Sequence, residues 1–238
     1  MKIVTWNCNG AFRKKFEAIS AIKADIYVIQ ECENPKECKD QKYNSWAKNY
    51  LWIGDTKNKG IGIFSSRDSI NLTRLDWSNS FEDHSVKHFL PCRVNDEFNI
   101  LGVWTHQNNS PTFGYIGQFW KYLQVNQDNL SNTIIAGDFN SNAIWDKWDR
   151  WWNHSDVVKQ LNQTGIVSLY HEQYKEDQGR ETRPTFFFRR KSERPYHIDY
   201  FFADREFSSR LKRLEVGEIH TWVELSDHVP IICEFHQP

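Results

Sequence analysis

The feature that most constrains this chain is a repeated strand ending. Short apolar runs stop on side chains able to hold water, a proton or a cation. IVTW ends on Asn7, IYVIQ on Glu31, GVWT on His106, and TIIA, through Gly137, on Asp138 and Asn140. Two further acids border strand-like runs: Asp199 within HIDYFF, and Asp227-His228 just ahead of VPIICEF. Polar side chains gathered at strand ends are how a sheet scaffold fixes a site in a cleft.

The runs themselves read as strands over Lys2–Trp6, Ile26–Ile29, Lys59–Ser65, Phe98–Thr105, Asn132–Ala136, His197–Ala203 and Val229–Phe235. Between Phe12 and Ala24 the apolar residues Phe12, Phe16, Ile19 and Ile22 recur at spacings of four and three, which predicts an amphipathic helix. Tyr115–Gln127 and Ser155–Gln163 also read as helices, the second with Ser155 as its N-cap. No repeat, linker or low-complexity stretch interrupts them. Strands interleaved with a few helices imply one α/β domain over residues 1–238, with helices packed outside sheets.

A chain of 238 residues, 39% hydrophobic, can bury a substantial core. Its 30 Lys+Arg balance 31 Asp+Glu, so no global basic field announces nucleic acid, although a local basic face is compatible with that balance. Cys8, Cys32, Cys38, Cys92 and Cys233 are odd in number and follow no metal-finger or C-x-x-C spacing. They read as free thiols in a reducing compartment. MKIVTWNCNG lacks the apolar core of a signal peptide, and no run is long enough to span a bilayer. A cytoplasmic protein without a membrane partner is the expectation, and no protein partner is inferable.

Taken singly, each polar residue has a plain reading. Asn7 and Asn140 serve equally as turn formers, Glu31 as a surface acid, His106 as a core histidine, and Asp138 as a turn cap. As a group they match one chemistry. Glu31, Asp227 and the Asn7 amide are oxygen donors suited to a hard divalent cation. Asp138, Asn140, His106 and His228 supply a base, an orienting amide and donors to phosphoryl oxygens, and Asp199 can orient a histidine as a triad acid does.

In order, TWNCNG, IQE, THQ, GDFN, HIDYFF and SDHVPI resemble the motifs of the endonuclease/exonuclease/phosphatase superfamily, the group that includes DNase I, exonuclease III-type enzymes, sphingomyelinases and inositol polyphosphate 5-phosphatases. The resemblance spans Trp6 to Pro230. It implies a four-layered α/β/β/α sandwich of two mixed sheets (DNase I-like), with the site at one end. It also implies roles at the matching positions. Glu31 is the principal ligand of Mg²⁺ (or Mn²⁺), with Asn7 and Asp227 beside it. Asp138 activates or positions the water, and Asn140 orients it. His228, oriented by Asp199, stabilises the transition state, and His106 contacts the phosphate. Thr105-His106 resembles the form found in DNase I, sphingomyelinases, deadenylases and tyrosyl-DNA phosphodiesterases rather than exonuclease III-type enzymes, which argues against a dedicated abasic-site endonuclease.

Two stretches bear on substrate. In AIWDKWDRWW, residues Trp145, Trp148, Trp151 and Trp152 share one face if the segment is helical. Packing onto the sheet is the plainer reading; the functional one has Trp145 or a neighbour lining the cleft and stacking on a base. Ahead of Asp199, Arg189, Arg190 and Lys191 follow Phe186–Phe188 in a basic aromatic segment, either a solvated hairpin tip or a phosphate-backbone clamp. The expected activity is a metal-dependent phosphodiesterase on nucleic acid, DNA before RNA. The alternatives are an enzyme of nucleotides or other small phosphorylated molecules, and a non-catalytic nucleic-acid-binding member.

Overall fold

The computed structural model describes residues 1–108, 110 and 112–236. Two six-stranded sheets form the middle layers. The first runs Leu211–Val216, Ile231–Phe235, Lys2–Asn7, Ile26–Cys32, Lys59–Ser65, Asn49–Thr56. The second runs Ile166–Ser168, Asp199–Asp204, Thr133–Asp138, Phe98–Trp104, Phe89–Val94, Leu72–Arg74.

Period-two alternation decides which side each residue buries. Ile3, Ile26, Val28, Ile61 and Ile63 of the first sheet meet Leu90, Ile100, Ile134, Ala136 and Phe201 of the second in a central core. The alternate residues face outward into two further cores. Val4, Trp6, Tyr27 and Ile29 pack on Phe12, Phe16, Ile19 and Tyr43. Leu101, Val103, Ile135 and Phe202 pack on Phe119, Leu123, Val157 and Leu161 from helices Ile116–Asn126 and His154–Gln163. Three cores between four layers give the α/β/β/α sandwich expected from the sequence.

Among the described residues each sheet contains one parallel pair at its centre. Lys2–Asn7 runs beside Ile26–Cys32, and Phe98–Trp104 beside Thr133–Asp138. A parallel pair needs a crossover, which Phe16–Ser20 and Ile116–Asn126 supply. The carboxyl ends of these two pairs carry Asn7 and Glu31 in one sheet, His106 and Asp138 in the other. The crevice outside such ends is where an open α/β sheet can present loops and side chains together.

Several sequence expectations shift. The predicted helix from Phe12 to Ala24 is a 3-10 turn, Phe12–Lys14, followed by a short helix, Phe16–Ser20. Lys15 breaks it at φ −128°, ψ −12°, where its Nζ donates to the Cys8 carbonyl at 2.6 Å. The helix predicted to be capped by Ser155 starts at His154 with Asn153 as its cap, and Asn153 N donates to Asp156 Oδ2 at 2.9 Å. The cap moves upstream because Asp146 already accepts from the backbone N–H of His154 and Ser155, at 2.9 and 3.2 Å.

The tryptophan stripe is not a helix either. A single turn, Ala143–Trp145, is followed by irregular chain, and the four indoles diverge from 6% exposed at Trp152 to 99% at Trp148. The five cysteines are free, and among the described residues no helix is long and apolar enough to cross a membrane.

Candidate active site

The TIIAGDFN strand enters between Phe98–Trp104 and Asp199–Asp204, with Asp138 opposite Asp199 in the register. Gly137 is required there, since a Cβ would collide with the Val103 carbonyl, and its φ of +151° suits glycine. Phe139 is fully buried against Phe119, Tyr200 and Phe202. With Phe139 anchored in the core, Asp138 and Asn140 turn to the sheet end. Asn140 sits at φ +45°, a left-handed conformation that asparagine tolerates. Its backbone N–H thereby donates to Asp138 Oδ1 at 2.8 Å and its amide to Asp138 Oδ2 at 2.9 Å.

Asn7 joins the two sheets chemically. Its Nδ2 donates to Asp138 Oδ2 at 2.9 Å and lies 3.4 Å from Glu31 Oε1. Its own Oδ1 accepts from Asn9 N at 3.0 Å, so in this arrangement Asn7 is a donor to both carboxylates. Glu31 stands at a β-bulge, where the register of Ile26–Cys32 against Lys59–Ser65 shifts between Gln30 and Cys32, and its φ is +62°. The extra residue re-aims a side chain that simple alternation would have placed elsewhere.

Asp199 and His228 form the second half. His228 Nδ1 lies 2.9 Å from Asp199 Oδ2, both side chains being buried. Thr185 Oγ1 accepts from the backbone N–H of Ile198 and Asp199, while Ser226 Oγ donates to the Asn7 carbonyl and accepts from His228 N. Trp6 Nε1 donates to the His228 carbonyl at 3.0 Å. The whole loop before Ile231–Phe235 is thus tied to the first strand. Ligand atoms of Asp138, Asp199 and His228 all lie within 4.8 Å of one another.

Burial and this neighbourhood together raise the pKa of both titrating groups, which favours the neutral form of one and the charged form of the other. Desolvation, then the charge of Asp199, pushes Asp138 up to about 7, although His228, Asn7 and Asn140 pull it down. For His228, burial opposes the charged form, but Asp199 first and then Asp138 and Asp227 overcome it and raise the imidazole to about 9. At neutral pH the site therefore holds a carboxylate able to take a proton beside an imidazolium able to donate a hydrogen bond.

His106 lies at the rim, edge-on to Trp104 at 4.2 Å and tilted on His88 at 4.9 Å. Burial lowers its pKa, with the Glu31 carboxylate acting against that and the Lys59 ammonium in favour. Asp227 is half-buried, and its backbone carbonyl accepts from Phe187 N at 2.7 Å.

The basic segment is a hairpin, Phe186–Phe187 paired with Pro195–Tyr196, stitched to the loop that carries His228. Phe186 packs on the His228 ring at 4.6 Å. At its tip Arg189 and Lys191 are exposed, and Arg190 reaches the Glu224 carbonyl at 3.0 Å. Trp145 leans on Tyr196 at 5.2 Å and lines a pocket that includes Asn140.

Three residues of the site escaped the sequence reading. Lys59 Nζ sits 2.7 Å from Glu31 Oε2. His88, pushed down to about 4 mainly by burial, supports His106. Asn142, nearly fully buried, donates to Glu181, to Tyr200 and to the His197 carbonyl, and so anchors the loop that leaves Asn140. Only Asn142, two residues past Asn140, carried a signal that the strand-end pattern could have extended to.

The donor set suits a hard divalent cation: Glu31 is a carboxylate already paired with a positive charge, the Lys59 ammonium, and among the described residues Asp199 Oδ1 is buried without a hydrogen-bond partner.

A carboxylate–histidine centre at the strand ends of a two-sheet sandwich defines a hydrolase of the DNase I-like class. The chain belongs to the endonuclease/exonuclease/phosphatase family, whose profile matches residues 4–228. No curated protein sequence matches it. Among solved structures it is similar to the 3′ phosphatase NExo from Neisseria, determined with a product DNA hairpin, at 19% identity over 100% of both chains and a TM-score of 0.75. It is also similar to an AP endonuclease from Archaeoglobus fulgidus, at 17% identity over 99% of each chain and a TM-score of 0.70. The AP endonuclease LMAP from Leishmania major aligns at 15% identity over 100% of this chain and 88% of its own, with a TM-score of 0.69. At such identities the likeness is one of fold.

Proposed function

We propose that the whole span 1–238 acts as one divalent-metal-dependent phosphodiesterase domain that hydrolyses nucleic acid, DNA in preference to RNA. The observation that carries this reading is the Asp138 carboxylate. It accepts from Asn7 and from both N–H groups of Asn140, beside a buried Asp199–His228 pair. A carboxylate offers about four lone-pair directions, so one remains for a water proton.

Glu31 would hold Mg²⁺ (or Mn²⁺), with the Asn7 Oδ1 and Asp227 beside it. The ion would neutralise charge on the phosphate ester. Asp138 takes the proton of the attacking water as its oxygen bonds to phosphorus, and Asn140 keeps that water in line. The His228 imidazolium donates to a non-bridging oxygen as charge builds there, while Asp199 fixes its tautomer. The phosphorus–oxygen bond to the leaving group then breaks, and the departing oxygen takes a proton from solvent to leave as the alcohol. His106 contacts the phosphate, and Arg189, Arg190 and Lys191 lie along the approach of the chain. The product hairpin in the similarly folded Neisseria 3′ phosphatase supports DNA as the polymer. Free cysteines support a reducing, cytoplasmic setting.

A net charge of −1 favours a second reading, hydrolysis of nucleotides or other small phosphate esters. One panel decides between them: labelled single- and double-stranded DNA, RNA and a nucleoside monophosphate, each with Mg²⁺ and Mn²⁺, run beside Glu31→Ala and His228→Ala. DNA cleavage lost in both variants supports the first reading, and release of inorganic phosphate from the monophosphate alone supports the second.

A further inference from the structure

Beside Asn140 the surface opens into a cavity of about 340 Å³, at the lower end of ligand-pocket sizes. One wall is Gly114-Tyr115-Ile116. The other comes from the loop after GDFN, with Trp145, Arg150 and Trp152. Trp152 is a fixed wall, stacked on Phe113 at 4.0 Å and donating from Nε1 to the Thr112 carbonyl at 3.2 Å. Trp145 and Tyr115 are about half exposed, at 46% and 45%.

Tyr115 is held at φ +55°, ψ −115°, a conformation that L-residues avoid, with its N–H on the His106 carbonyl at 2.8 Å. Such strain persists where the surrounding structure fixes it. The guanidinium of Arg150 lies 5.9 Å from the Trp152 ring centre. Next to it begins the Ile116–Asn126 helix, whose first turn has no side-chain cap and no acid, so its dipole adds positive potential.

The exposed large hydrophobics concentrate here. Ile144, Trp145, Trp148 and Trp151 lie in one loop, and Tyr115 lines the same cavity. A lipid-inserting surface is disfavoured, because Asp146, Lys147, Asp149 and Arg150 are interleaved with the indoles. Flat rings beside a cation and a helix N-terminus fit a nucleotide: a base on the rings, a phosphate at the positive end.

We propose that this cavity seats the nucleotide flanking the scissile phosphate, its base stacked on Trp145 and Tyr115 and its outer phosphate held by Arg150. The proposal rests on the phosphodiesterase reading above. A base stacked on protein rings has left its duplex partner, so the favoured substrate is a nucleic acid strand whose flanking base is unpaired.

The test compares oligodeoxynucleotides, single- and double-stranded, with tetrahydrofuran abasic units replacing the nucleotides on either side of the scissile position. Wild type should cleave the base-bearing single strand about tenfold or more faster, in kcat/KM, than its abasic counterpart, the size of one base–aromatic stack. Trp145→Ala and Tyr115→Ala should each shrink that ratio, Trp145→Phe should restore it, and circular dichroism should report whether each variant folds. Cleavage by wild type that ignores the base overturns the cavity assignment and leaves the phosphodiesterase reading standing. So does a tryptophan blue shift with anionic vesicles but not with oligonucleotide. Absence of cleavage of every oligomer and of bis(4-nitrophenyl) phosphate removes both readings together.

Discussion

His228 Nδ1 and Asp199 Oδ2 are 2.9 Å apart in the buried floor of the site, and Asp199 is the main reason the imidazole stays charged against burial. Removing that carboxylate must lower the pKa of His228 from about 9, which moves the alkaline limb of the pH–rate profile to lower pH. Asp199→Asn is expected to show this shift together with a loss of about 10²–10⁴-fold in kcat. Asp199→Ala leaves a buried cation unpaired and should cost about 3–5 kcal/mol of stability as well. An alkaline limb unmoved in Asp199→Asn would sink the assignment.

On the proposed mechanism the acid limb follows Asp138, raised to about 7 by burial and by Asp199. Asn7 acts in the opposite sense, because its amide donates to the ionised carboxylate. In Asn7→Ala that hydrogen bond is gone, the pKa of Asp138 climbs further, and the acid limb moves to higher pH. Activity above that limb recovers in part. The profile of kcat/KM between pH 5 and 10 in wild type and Asn7→Ala checks both the bell shape and the direction of the shift.

How far the site could be read ahead of the fold depended on where each residue's signal lay. Asn7, Glu31, His106 and Asp138 each end an apolar run, so their convergence follows once two parallel pairs put their carboxyl ends together. Lys59 carried no such signal. It reaches Glu31 through the antiparallel register that sets Cys32 opposite Gly60, and register is a tertiary property. Edge strands were missed for a related reason. Leu211–Val216 is LKRLEV, charged and half exposed, and Asn49–Thr56 buries no residue fully. The tryptophan run misled because its spacing suits a helix. The side chain of Asp146 caps the next helix instead, and its own backbone is extended at ψ 143°.

A divalent ion that binds the folded site and not the unfolded chain must raise the melting temperature. At 100-fold excess over its dissociation constant the expected stabilisation is about 2.7 kcal/mol. Mn²⁺ should shift the melting curve of wild type, EDTA should reverse the shift, and Glu31→Ala should show little of it. A Glu31→Ala curve that responds to Mn²⁺ as wild type does would place the ion elsewhere.

Acid stability should fall in two windows set by His154, His88 and Glu181. His154 and His88 are each held neutral by burial, pushed from 6.5 down to about 4. The unfolded chain protonates first, so their stabilising contribution is full above pH 6.5 and is lost as pH falls toward about 4. Glu181 behaves as a depressed acid. Burial opposes its charge, but hydrogen bonds from His171, Asn142 and the Gly179 N–H bring it from 4.5 down to about 2. Its contribution is present above pH 4.5 and disappears between there and about pH 2. Glu181→Gln should therefore flatten the lower window, and because the Glu181 charge favours protonated His154, it should deepen the fall between pH 6.5 and 4 rather than remove it. Urea unfolding at half-unit pH steps resolves the two. Because Glu181 holds Asn142 at 3.0 Å, the same variant should also loosen the loop that carries Asn140 and lower kcat at neutral pH, where its effect on stability is measured in parallel.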